Sequence, residues 1–202
     1  MKVRIKFSKH GNTRYVGHLD IMRYFQKAMR RADIPIRYSE GFSPHQIMSF
    51  ASPLGLGIES DAEYLDIEIT EDIAREDAID RLNAVMCEGI RILDWKKLDD
   101  KAKTGMSVVD SADYLAVCEC EDIEKFCKEE IIVEKETKSG ETKLVDIKPM
   151  IYDIRIVPDG IYMHIAQGSS ANLKPDILMS VLDIKDYHLI RKALYDVNGL
   201  TL

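Results

Sequence analysis

Apolar and basic residues alternate at the start of the chain, with Val3, Ile5 and Phe7 set between Lys2, Arg4 and Lys6. A period of two predicts a strand with one buried face. After a turn around Gly11-Asn12 the period lengthens. Ile21, Met22, Phe25, Ala28, Met29 and Ala32 fall in one arc at about 100° per residue, which predicts a helix over 18–32 ended by Pro35. A Gly/Pro/Ser-rich connection follows over 38–60, with a short extended piece, Gln46–Ala51, inside it. Glu63–Thr70 alternates again. Glu71–Cys87 has helical periodicity, and Ile90–Trp95 reads as a closing strand. The order β-α-β-β-α-β is the ferredoxin-like pattern, with helices on one face of an antiparallel sheet and the other face left available.

Lys96–Asp110 is polar, contains Gly105 and has no clear period, so it reads as a connection. Beyond it the pattern nearly repeats: a strand over Tyr114–Cys120, a short helix over Ile123–Glu130 and a hairpin of Ile131–Thr137 and Thr142–Lys148 around residues 138–141. A second hairpin joins Ile151–Val157 to Ile161–Gln167 through Pro158-Asp159-Gly160. A helix over Pro175–Leu182 and a strand over His188–Tyr195 close the chain. The expected fold is α+β, two ferredoxin-like units in tandem at 1–97 and 110–202 joined by a linker at 98–109, the second unit carrying an added hairpin.

With 46% hydrophobic residues in 202, the chain has material for substantial cores, and no stretch approaches the roughly 20 apolar residues of a membrane span. The start alternates instead of forming a continuous apolar run, so it reads as a strand and not an export signal. Cys87, Cys118, Cys120 and Cys127 form no C-x-x-C pair and are expected as reduced thiols in a cytoplasmic protein without membrane association.

Charge sharpens the picture. Residues 1–60 hold ten Lys/Arg and four Asp/Glu, against 18 and 31 in the remainder, so a head of about +6 sits on a body of about −13. On the first predicted helix Arg23, Lys27 and Arg30 fall within about 60° of one another, opposite the apolar arc, with Arg31 on the flank. Such a row can neutralise phosphates or can simply be a solvated face. Arg14 adds to the head. The loop Tyr38-Ser39-Glu40-Gly41-Phe42-Ser43-Pro44-His45 offers Gly41, free to adopt a positive φ, and Phe42, placed to stack on a base. Its spacing fits neither G-x-x-x-x-G-K-[ST] nor G-x-G-x-x-G, so a nucleotide loop of those kinds is not expected. Lys174, before the last helix, is a further phosphate candidate, beside the alternative that Ser170 or Asn172 merely caps that helix.

The runs Arg14-Tyr15-Val16-Gly17-His18-Leu19-Asp20, Ala28-Met29-Arg30-Arg31-Ala32 and Tyr38–His45 resemble the radical-SAM-linked protein family, a domain found alone or fused behind a radical SAM enzyme. Leu54-Gly55-Leu56-Gly57, Glu63-Tyr64 and Ser170-Ala171-Asn172-Leu173-Lys174-Pro175 are similar to it as well. The resemblance implies a radical SAM enzyme as partner, with RNA or the translation machinery as the setting. The chain itself has no C-x-x-x-C-x-x-C and so lacks the usual ligand set for that iron–sulfur cluster.

His18, Asp20 and His45, with His10 and Arg14, make an acid/base set for metal-independent RNA cleavage, against the simpler reading of local capping and dipole complementation. Cys118, Cys120 and Cys127 do not have zinc-finger spacing, and no metal or cofactor is expected. The functional expectation is a non-catalytic accessory that binds RNA or a ribonucleoprotein for a radical SAM enzyme. The alternatives are an endoribonuclease or RNA-modifying enzyme, and a protein-interaction module for such an enzyme that binds no RNA.

Overall fold

In the computed structural model, which describes residues 1–136, 140 and 142–202, the alternating start is β1 (Lys2–Lys9). Val3, Ile5 and Phe7 are fully buried on one side of it. A 3₁₀ turn over Gly11–Tyr15 leads into α1 (His18–Arg31), which lays Ile21, Phe25, Ala28 and Met29 onto that side. The helix ends where Asp33 takes a left-handed φ of 53° and the Ile34 N–H reaches back to the Met29 carbonyl at 3.0 Å. Asp tolerates that conformation better than most residues.

β2 (Met48–Phe50), β3 (Glu59–Glu68), α2 (Arg75–Asn83) and β4 (Ile90–Leu98) complete the first half. α2 is shorter than the expected 71–87. Ile73, Val85 and Met86 all pack on the core from outside the helix, so their apolar period reflects a shared destination and not a continuous helix. The polar stretch 98–109 holds a single turn, α3 (Gly105–Val108), and lies against the first half. Lys2 Nζ donates to the Ala102 carbonyl at 3.1 Å, and the Gly105 N–H donates to Asp66 Oδ2 at 2.6 Å.

The second half runs through β5 (Val109–Val117), a hairpin of β6 (Ile132–Glu136) and β7 (Thr142–Asp146), then β8 (Ile151–Val157), β9 (Gly160–Ala166), α4 (Pro175–Leu182) and β10 (His188–Asp196). Where a short helix was expected at 123–130 there is one 3₁₀ turn, Glu124–Cys127, anchored by buried Phe126. One anchor with Ile123 beside it is too little apolar surface for an amphipathic face. Three residues of the expected 138–141 turn, Lys138, Ser139 and Glu141, lie outside the described residues.

Eight strands form one mixed sheet in the order β4-β1-β3-β10-β5-β9-β8, with β2 also paired to β3, and the β6–β7 hairpin forms a separate two-stranded sheet. Among the described residues only the join between the halves is parallel, and it is brief: Ile190 faces Glu59 and Arg191 faces Ser60. One core lies under α1 and α2. The other gathers β5, β9, β10 and α4, and it takes in Ala51, Ile58, Ala62 and Tyr64 from the first half. The face of β3 expected to stay available is therefore partly covered. β3 is buried on both sides over Ala62–Leu65, as strands between two layers are. Among the described residues no helix is long and apolar enough to cross a membrane.

Candidate functional site

The outward face of α1 follows from its inward one. With the apolar arc on the sheet, Arg23, Lys27 and Arg30 point to solvent. Arg23 pairs with Asp20 one turn earlier at 3.3 Å, both side chains being about two-thirds exposed, so the pair contributes at most about 1 kcal/mol. Lys27 and Arg30 make no ion pair or hydrogen bond among the described residues. Arg31 turns away, donating to the Val85 carbonyl at 3.2 Å and lying over the Tyr24 ring.

The loop over 38–45 is tied at its base. Tyr38 and Gln46 form an antiparallel bridge, the Ser39 N–H donates to the His45 carbonyl at 2.8 Å, and the His45 N–H donates to Ser39 Oγ at 3.1 Å. Buried Gln46 donates its amide to the Gln26 carbonyl at 3.2 Å and so fastens the loop to α1 one residue before Lys27. At the tip Gly41 has a φ of 106° and Phe42 is 110% exposed, with no covering contact.

The proposed acid/base set does not assemble. His18 packs edge-on against Phe50 at 5.2 Å, Asp20 serves Arg23, and His45 closes its own loop through Ser39 Oγ at 2.9 Å. No hydrogen bond links the three among the described residues. Beside His18, Lys9 is buried with its Nζ on the Val16 carbonyl at 2.9 Å, and burial pushes its pKa down.

Arg14 lies apart from the α1 face, in a polar cluster that spans the join between the halves. Glu59, the first residue of β3, accepts the Gly11 N–H at 2.7 Å and contacts His10 Nδ1 and His188 Nε2, each at 3.1 Å. Arg14 Nη1 is 3.7 Å from the same carboxylate and 3.2 Å from His188 Nδ1. His10 also meets Asp61 at 2.9 Å, and Lys192 pairs with Asp61. Burial alone would raise the Glu59 pKa. The hydrogen bonds from His10, His188 and the Gly11 amide outweigh it and hold the carboxyl at about 2. Arg14 and His188 border an open cleft of about 930 Å³ whose rim also carries Glu119, Asp159 and Asp186. The short sequence distance from His10 to Arg14 was visible in the chain. Glu59 and His188 gave no signal, because only the β3–β10 pairing brings them there.

Lys174 is in neither place. It is the residue before α4, and no side chain caps that helix. Asn172 instead forms an antiparallel bridge with Gln167, and Pro175 begins the helix. The thiols of Cys118 and Cys120 donate to nearby carbonyls, and Cys127 is exposed on its 3₁₀ turn. The predicted cations are therefore divided. Arg14 is held at the join, Arg23 is paired, Lys27 and Arg30 have no ion pair among the described residues, and Lys174 precedes α4 in the second half.

Residues 2–175 match a family described as an uncharacterized protein conserved in bacteria (DUF2344). No curated protein matches the chain.

Proposed function

We propose that the chain, which belongs to the DUF2344 family, is a non-catalytic accessory that binds single-stranded RNA across the outer face of α1. The observation that carries this reading is the tether of Gln46 to Gln26, which ties the loop bearing a fully exposed Phe42 to the stretch of α1 that bears Lys27 and Arg30, two cations with no carboxylate partner among the described residues. Single strands are held by that combination of a stacking ring and nearby positive charge. The repeated strand order supports the same direction. Each half runs last strand, first, third, second (β4-β1-β3-β2 and β10-β5-β9-β8), the arrangement of a ferredoxin-like unit. The resemblance to the radical-SAM-linked family supplies the partner: RNA bound at the head is presented to a radical SAM enzyme, and the acidic second half is the side left for that enzyme.

Anisotropy of a labelled single-stranded RNA tests this. Phe42→Ala is expected to weaken binding by about 1–3 kcal/mol, the worth of one stacked base. Lys27→Glu/Arg30→Glu is expected to weaken it by about tenfold or more and to flatten its salt dependence. Affinity unchanged in both variants would sink the reading.

The pairing of Arg14, Arg23 and Arg37 with Glu59, Asp20 and Glu68 favours one other reading, a protein-interaction module that binds no RNA. Capture of a radical SAM enzyme after nuclease treatment, by a protein with no measurable RNA affinity, would select it.

A further inference from the structure

A chain of buried polar groups crosses the interface between the halves. Glu63 of β3 and Arg191 of β10 form an ion pair whose side chains are 6% and 1% exposed. Arg191 also donates to the Ser52 carbonyl at 2.7 Å, and its guanidinium lies beside the Tyr114 hydroxyl. Tyr114 in turn donates to Gln167 Oε1 at 2.7 Å. A buried ion pair seldom stabilises a fold more than apolar residues of the same size, so what this one contributes is position. Its effect falls on Gln167. With Oε1 occupied by the tyrosine, the two Nε2 hydrogens have no partner among the described residues. The antiparallel bridge from Gln167 to Asn172 sets the two amide side chains on the same side of the backbone.

Both amides line a cavity of about 380 Å³. Its other wall comes from the first half, where Pro53, Leu54 and Leu56 supply an apolar surface, and Leu56 is 68% exposed at that wall. Asp176 and Lys174 also line it. We propose that this cavity binds an unstacked nucleobase together with its ribose. The volume is in the range of small-molecule sites. The leucine wall covers a ring face, and the Gln167 amide, oriented by Tyr114, with the Asn172 amide beside it reads the donors and acceptors of a ring edge. Asp176 Oδ1 accepts from Tyr187 at 3.1 Å, which leaves its second oxygen for ribose hydroxyls. Lys174 answers an attached phosphate. This site is separate from the α1 face and goes beyond the reading above, since the base can arrive as a free nucleoside or within a strand.

Titration of the intact protein with adenosine, guanosine, cytidine and uridine, and with a single strand of about ten nucleotides, followed by NMR and calorimetry, tests it. At least one nucleoside is expected to bind saturably. Gln167→Leu and Leu56→Asp should each weaken it about tenfold, the cost of one lost edge or wall, while Lys27→Glu/Arg30→Glu leaves it unchanged. Leu56 is exposed, so that variant decides the matter if Gln167→Leu does not fold. Strand binding that falls with Leu56→Asp, without free-nucleoside binding, also supports the site and assigns its base to the strand. Nucleoside binding indifferent to both pocket variants overturns the proposal. So does an absence of nucleoside binding with strand affinity indifferent to Leu56→Asp. Nucleoside binding that responds to the pocket variants while strand affinity is indifferent to Lys27→Glu/Arg30→Glu would mark failure of the α1 face and not of the pocket, and the reverse pattern would mark failure of the pocket alone.

Discussion

Glu59 concentrates more interactions than any residue the sequence pointed to. It is held by two histidines, a backbone amide and an arginine, and the histidines and the amide, against the opposing effect of burial, keep its carboxyl at about 2 where the ordinary value is 4.5. A group whose pKa is lowered on folding stabilises the protein above its ordinary value. That contribution is lost as pH falls from 4.5 through 2. Glu59→Gln is therefore expected to lower the thermal midpoint at neutral pH by about 4 °C or more, with the gap to the native protein narrowing as pH falls from 4.5 to about 2. Melts followed by circular dichroism across that range check it, and a gap independent of pH would contradict it. Single residues were the least legible scale in the chain. The acid/base set read from the chain joins His10, Arg14, His18 and Asp20, which lie within eleven residues of one another, to the more distant His45. The partner that Arg14 actually faces, His188, lies 174 residues away.

Elements were read best where one face alone is buried. α1 and α4 stand where the sequence puts them, because each meets the core along one side. β1 and β8 also stand there, although β1 buries Arg4 and Lys9 besides its apolar residues and no residue of β8 is fully buried. α2 and the 123–130 segment are shorter than the sequence predicts, since apolar residues that reach a core from loops imitate a helical period. The β8–β9 hairpin shows what the turn chemistry demands. Gly160 has a φ of 140°, and a Cβ there would lie 2.0 Å from the Ala116 carbonyl of the neighbouring strand. Gly160→Ala combines a disfavoured backbone with a clash and is expected to cost about 3 kcal/mol or more. Gly199→Ala, also at positive φ but with nothing within 4 Å, is expected to cost only about 1 kcal/mol. Urea unfolding of the two variants measures the difference, and equal losses would refute the clash.

At the scale of the whole molecule, the halves meet through two parallel residue pairs, a shared core layer and the Arg191–Glu63 pair. Removing one member of a buried pair leaves a charge without its counterpart. Arg191→Met is therefore expected to destabilise by about 3–5 kcal/mol in urea unfolding. A loss below about 1 kcal/mol would show that Lys9, also close to Glu63, takes over as counter-ion. Local pattern in the chain was enough to set the order of strands and helices, the basic head, the outward row on α1 and the turn glycines, because each depends on neighbours a few residues apart. The union of both halves in one sheet, the burial of the first half's second face, the cluster around Glu59 and the cavity under Leu54 and Gln167 were decided by tertiary structure alone. They arise from the pairing of β3 with β10, a contact between segments about 130 residues apart whose short register leaves no periodicity in either strand to announce it.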